Sequence, residues 1–248
     1  MKRGKWLSDF LKYGTSFASI YFLYWAYSNG YFSLILDSTD EFLFLLKQHV
    51  TLVFYSSVLA ILISVPAGIL ITRKRFQRLE WVIVALANIG QTIPSIAFLA
   101  LLMLVLGIGT LPSIIALFAY SLLPILRNTI EGIKAVDPLI KDAAKGIGLT
   151  PLQILWKVEI PNSLSIIAAG VRISVVLNIG SAALAYLIGG GGLGDYIFTG
   201  IEMVDYSYLL SGAVPVTLLA VMADFFLRNL EKILIPRGIN YSQKTNNL

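Results

Sequence analysis

The chain has no cysteine and one histidine, His49, in 248 residues. Disulfides, cysteine-based zinc sites and Cys/His nucleophilic chemistry are therefore excluded. Charge is also scarce: 13% of residues are Asp, Glu, Lys or Arg, about half the share of a soluble domain. No G-x-x-x-x-G-K-[ST] run is present, so a P-loop nucleotide site is absent. What fills the chain instead is apolar sequence, 57% of residues, with a mean hydropathy of +0.79. That balance belongs to the bilayer, where ~20 mostly apolar residues span the hydrocarbon.

Six spans are expected: Thr15–Leu36, Val50–Thr72, Trp81–Leu106, Leu111–Leu126, Leu164–Ile188 and Tyr206–Leu227. A basic start before the first run could mark a signal peptide, but no small-x-small cleavage pattern follows, and a retained span is the preferred reading. That run is broken at Ser28-Asn29-Gly30 and carries Tyr21, Tyr24, Trp25 and Tyr27, as a segment near a membrane interface does. Phe42–Val50 reads as an amphipathic lead into the second span. Pro124 is expected to close the fourth span.

The basic residues are unevenly placed. With the N-terminus in the cytoplasm and six crossings, 17 of the 19 Lys and Arg lie in inner segments, while Lys47 falls outside and Arg172 within a span. The positive-inside rule favours this orientation. The pI near 9.3 and the run Arg73–Arg78 are then topological anchors, and no nucleic-acid partner is expected. The run GGGGLG at Gly189–Gly194 formally satisfies G-x-G-x-x-G but lacks the flanking strand and helix of a dinucleotide fold, and reads as a flexible outer turn.

Polar groups inside apolar spans are costly unless they face protein or water. Gln91, Thr92 and Pro94 interrupt the third span, and Asn178 sits in the fifth. They are candidates for a transport path, alongside plain interhelical hydrogen bonding and a kink. Arg172 and Asp224 lie at similar depth and form a candidate ion pair, with a coupling role as the alternative. With so few intramembrane carboxylates and no internal repeat, an ion-coupled carrier is disfavoured. An integral-membrane enzyme would need clustered catalytic groups, and His49 has no evident partner on the outside.

The long mixed segment Asp142–Pro161, DAAKGIGLTPLQILWKVEIP, faces the cytoplasm in this topology. Alanines at 143 and 144 permit close docking, Gly148 breaks a first short helix, and Thr150 and Pro151 start a second as N-cap and first residue. Pro161 is expected to end that second helix before the next span.

The spacing Asp142-Ala143-Ala144-x3-Gly148-x9-Val158-x-Ile160-Pro161 resembles the EAA loop of permease subunits in binding-protein-dependent ABC importers. Asp142 stands for that family's Glu, Val158 for Ile and Ile160 for Leu. The segments GQTIPSIAFLAL, GIGTLPSIIALFAYSLLPILRNT and GVRISVVLNIGSAALAYLIGGGGLGDYI resemble the glycine betaine/carnitine/choline osmoprotectant permeases of the Yeh and Opu type, over roughly Val50–Asp224. The resemblance implies an all-α polytopic membrane protein with a type I ABC importer permease fold. It implies residues 1–49 as N-terminus, first span and short outer segment, a core over 50–230, and a basic tail over 231–248. It further implies a cytoplasmic ATPase docked on Asp142, Ala143, Ala144, Gly148, Val158, Ile160 and Pro161, a second permease subunit identical or homologous, and an extracytoplasmic binding protein. By the same resemblance ATP and Mg are used by the partner ATPase, this chain binds no cofactor, and the cargo is a quaternary-ammonium osmolyte. A methionine-like or other small metabolite is the alternative cargo.

Overall fold

The computed structural model describes residues 14–234 apart from 16 and 19, so the basic N-terminal segment and the last fourteen residues of the tail lie outside it. Among the described residues the elements are all helical. They are α1 (20–28), α2 (Ser33–Asp37), α3 (Thr39–Ile71), α4 (Glu80–Thr92), α5 (Ser95–Leu106), α6 (Thr110–Lys134), α7 (Pro138–Gly146), α8 (Pro151–Ile154), α9 (Ile160–Ala182), α10 (Gly194–Met203) and α11 (Tyr206–Leu234). A π turn, Leu155–Glu159, joins α8 to α9, and a 3₁₀ segment, Ala183–Ile188, follows α9.

Four helical stretches are long and apolar enough to cross a bilayer: α3, α6, Pro151–Ile188 and α11. The third expected span is not one straight helix. Its two halves, Gln77–Thr92 and Ser95–Leu106, meet at 99°. Pro94 is the cause, since its ring excludes the helical region for the residue before it, and Ile93 is accordingly extended at ψ 131°. Counting the bent pair as one crossing gives five, and the described part of the first expected span is helical over 20–28 before it turns at Asn29-Gly30.

Helix α6 is the central pillar, with its widest contacts to α3 on one side and α9 on the other. Small residues set these approaches. A Cβ on Gly68 of α3 would lie 2.7 Å from Thr129, and one on Gly170 of α9 would lie 2.4 Å from Asn128. Close backbone approach of this kind is how helices associate where lipid removes the hydrophobic drive. Leu52, Val53, Leu117, Ile179, Leu193 and Tyr196 form the main core, which ties α3, α6 and α9 to α10. Large apolar side chains such as Phe54, Leu62, Leu104 and Val221 face outwards, as lipid-facing residues do in a chain this rich in apolar sequence.

Two proline expectations are corrected. Pro124 does not close the fourth span; α6 runs through it to Lys134. Having no N–H, it leaves the Tyr120 carbonyl without its intrahelical donor, and Gln91 Nε2 from α4 donates to that carbonyl at 2.9 Å. Pro161 does not end a helix either, because Pro151–Ile188 is continuous. The π turn just before it bonds five residues ahead rather than four, which steps past the missing N–H.

The glycine run is also tighter than a flexible turn. Gly192 donates its backbone N–H to Gln48 Oε1 at 3.0 Å. A Cβ on Gly191 would meet Gln48 at 2.3 Å, and one on Gly190 would meet Ser113 Oγ at the same distance. His49 is fully buried beside it, with Nε2 donating to the Ile179 carbonyl at 3.0 Å.

Candidate functional site

Two places at different depths collect the residues singled out by the sequence. The first is the loop from Asp142 onward, at the basic end of the bundle. Asp137 caps α7 by accepting from Leu139 N at 2.8 Å, with Pro138 next to it at the first helical position. At the far end Leu149 N bonds the Ala144 carbonyl at 3.1 Å and Gly148 N bonds that of Lys145 at 2.9 Å. This 6→1 and 5→2 pair is a Schellman motif, whose penultimate residue is left-handed. Gly148 holds that position at φ +85°. The Ala144-x3-Gly148 spacing is therefore the spacing of the cap. Thr150 and Gln153 then form a reciprocal capping box, and Pro151 opens α8.

Within this loop Asp142 and Ala143 are exposed, Ala144 is buried, and Val158, Ile160 and Pro161 are half-buried where the π turn enters α9. Asp142 pairs with Lys145 at 2.7 Å on the surface. Around them four large apolar side chains stand in the open: Leu139 at 77% exposure, Ile147 at 79%, Leu152 at 65% and Trp156 at 63%. These side chains stand beside charged residues at the basic end of the bundle.

A buried carboxylate fastens the loop to the bundle. Glu159, on the π turn, meets Arg73 Nη1 at 2.6 Å and Lys141 Nζ at 3.6 Å. Arg73 follows α3, and Lys141 belongs to α7, whose Nζ also donates to the Ile133 carbonyl at 3.1 Å. One acidic group thus ties the ends of α3, α6 and α7 to the start of α9.

The second place is a cavity of about 230 Å³ between α4, α6 and α9. Gln91, Tyr120, Ser121, Ser174, Leu177 and Asn178 line it, and none of its lining residues is charged. The structure thus brings Gln91 and Asn178 together. Thr92 does not join them, since its hydroxyl donates back to the Ile89 carbonyl at 3.1 Å. Pro94 acts through the bend, which Tyr120 secures by donating its hydroxyl to the Ile93 carbonyl at 2.6 Å.

Arg172 and Asp224 are 3.6 Å apart, in a wider network. Asp224 is bonded more closely by Arg228, one turn along α11, at 2.8 Å, and Arg172 also faces Glu231 at 3.9 Å. Two cations and two carboxylates share this corner between α9 and α11.

Residues 64–236 match the model of a known family, the binding-protein-dependent transport system inner membrane component. The chain belongs to that family. Its curated relatives include the choline transport system permease protein OpuBB of Bacillus subtilis, 44% identical over 199 residues, which span 80% of this chain and 91% of that protein. The carnitine transport permease protein OpuCB of Listeria monocytogenes is 44% identical over 79% of this chain and 89% of its own length. The osmoprotectant import permease protein OsmY of Salmonella typhimurium is 40% identical over 80% and 84%. Among solved structures, an inward-facing MetNI methionine ABC transporter superposes with a TM-score of 0.68 over 78% of this chain and 98% of that one, at 22% identity. A crystal structure of an amino acid ABC transporter gives 0.67 over 81% and 97%, at 19% identity. The fold is that of a type I ABC importer permease, and the protein is a multi-pass translocation component.

Three groups of this permease were missing from the sequence reading. Glu159 lies inside the loop motif but shows its role only through Arg73, 86 positions earlier. Ser121 and Ser174 are small polar residues in apolar helices, and their period along α6 and α9 was the available signal.

Proposed function

We propose that this permease is the membrane subunit of an ATP-driven importer for a quaternary-ammonium osmolyte of the choline, carnitine or glycine betaine type. The carrying observation is identity of 40–44% over about four fifths of the chain to permeases named for those cargoes. The likeness to methionine and amino acid transporters is fold-level only and does not favour their cargo.

In this reading the basic end faces the cytoplasm, and a separate ATPase, using ATP and Mg, docks on the loop 142–161. Asp142, Ala143 and the exposed Leu139, Ile147, Leu152 and Trp156 form the contact. Ala144 and Gly148 shape it through the Schellman cap, while Val158, Ile160 and Pro161 carry the motion into α9, with Glu159 locking the loop to α3 and α7. A push on the exposed cluster reaches the spans through these rigid connections rather than through a free loop. A second permease copy or homologue completes the path, and an extracytoplasmic binding protein delivers the cargo. This chain binds no cofactor and performs no catalysis.

The test is uptake of labelled choline and glycine betaine by cells expressing the permease with its ATPase and binding protein. Gly148→Asp keeps the chain in the membrane but forces a side chain into a left-handed position, where an L-residue costs about 1–2 kcal/mol. It is expected to cut uptake at least tenfold and to weaken ATPase co-purification. Uptake that persists with the ATPase deleted overturns the proposal.

A further inference from the structure

The cavity at Asn178 has a polarity that can be worked out bond by bond. Ser56 Oγ donates to the Leu52 carbonyl at 2.6 Å, so its only hydrogen is committed. The contact of 2.7 Å between Ser56 Oγ and Asn178 must then be a donation from the amide, which fixes Nδ2 towards α3, where it reaches Ser57 Oγ at 2.9 Å as well. Asn178 Oδ1 is left as an acceptor. It is buried, has no partner, and belongs to a residue only 2% exposed.

The other polar neighbours follow the same pattern. Gln91 spends an amide hydrogen on the Tyr120 carbonyl, Tyr120 spends its hydroxyl on the Ile93 carbonyl, and Ser174 spends its own on the Ser121 carbonyl at 2.9 Å. The hydroxyls of Tyr120 and Ser174 thus point into protein and leave their lone pairs, while Gln91 Nε2 keeps one hydrogen uncommitted. Two hydroxyls on the lining are uncommitted: Ser121 Oγ, which is buried with no partner, and that of Ser181. The cavity therefore offers oxygen acceptors, one aromatic ring and no cation. Its volume corresponds to about seven or eight waters at roughly 30 Å³ each, the scale of a small polar solute.

The geometry points to this cavity as a transit site for the positively charged head of the cargo, drawn by the dipole of the Asn178 amide, whose Oδ1 is its unpartnered end. The inference rests on the osmolyte reading above. A methylated ammonium has no N–H to satisfy; it is held by charge–dipole attraction, by weak C–H···O contacts and by an aromatic face. A carboxylate finds two free hydroxyls and one amide hydrogen here but no cation to neutralise it, so the anionic end of a zwitterion is the less favoured occupant. Neutral acceptors also hold a cation more loosely than a carboxylate would, and a transit site has to release what it binds.

Leu177 gives a way to test this, because its side chain lines the cavity while being 56% exposed. The importer, reconstituted in proteoliposomes with its ATPase and binding protein, is assayed for initial uptake of choline, a cation, and glycine betaine, a zwitterion. Leu177→Glu, Leu177→Gln and Leu177→Lys are compared at equal permease content. The choline-to-betaine uptake ratio is expected to fall in the order Glu, Gln, Lys, by at least tenfold across the series. Equal ratios for Glu and Lys overturn the inference. Where the Lys variant does not assemble, Glu against Gln decides: a rise of at least threefold supports it and an unchanged ratio overturns it. A wild type that moves neither solute refutes the osmolyte reading itself, whereas an active wild type with a flat series refutes only the cavity assignment.

Discussion

Glu159 is a single charge on which several elements converge. It is mostly withdrawn from water and faces two cations from different elements, Arg73 and Lys141. Deleting one partner of a buried polar contact exposes the desolvation cost of the other, about 1–3 kcal/mol. Glu159→Gln is therefore expected to lower the melting temperature of the purified permease in detergent, and the reversal Arg73→Glu with Glu159→Arg to recover part of the loss. A melting curve for Glu159→Gln that overlays the wild type would sink this account. The residue was out of reach of sequence reasoning because its partners are set by chain reversal, α3 returning beside α9. Gly148, by contrast, was legible: a Schellman cap is closed within six residues, so its geometry is written in local spacing. The same locality made Thr150 and Pro151 readable as a helix start.

At the scale of elements, the prolines show where local rules stop being sufficient. Pro94 breaks its span and Pro124 and Pro161 do not, although all three lack the same N–H. The difference is what stands nearby. At Pro124 the orphaned Tyr120 carbonyl is served by Gln91 from a neighbouring helix, and at Pro161 a widened turn bypasses the gap. Neither repair is visible from composition, because each depends on a partner or a backbone adjustment. Gln91 then has a structural task beside its place in the cavity, and the two can be separated by a double-mutant cycle. Gln91→Leu leaves the Tyr120 carbonyl unpaired and is expected to cost about 1–3 kcal/mol. In a Pro124→Ala background the new backbone N–H takes over that carbonyl, and the same substitution is expected to cost at least about 1 kcal/mol less. Denaturant or thermal unfolding of the four proteins measures the coupling; strictly additive losses would mean that the interhelical bond contributes nothing.

On the scale of the whole molecule, the helical class and, among the described residues, five of the six expected spans were readable because apolar runs of bilayer length are the strongest signal in the chain. The 99° bend within the third run was not, since Pro94 announces a break without its angle. The uneven placement of Lys and Arg adds a claim about orientation that the helices alone do not carry, and the lack of cysteine makes it directly testable. A single cysteine can be introduced without background labelling. Met203, at the end of α10, and Ile147, beside the Gly148 cap, are both exposed and lie at opposite ends of the bundle. With the basic end inside, Met203→Cys reacts with a membrane-impermeant maleimide in intact cells, and Ile147→Cys reacts only after permeabilisation. Adding the ATPase should then protect position 147 at least fivefold while leaving 203 unchanged, because Ile147 belongs to the apolar cluster assigned to docking. Labelling of Ile147→Cys in intact cells would reverse the topology and remove the loop from the cytoplasm. Accessibility at 147 that is indifferent to the ATPase would keep the topology but move the docking surface elsewhere.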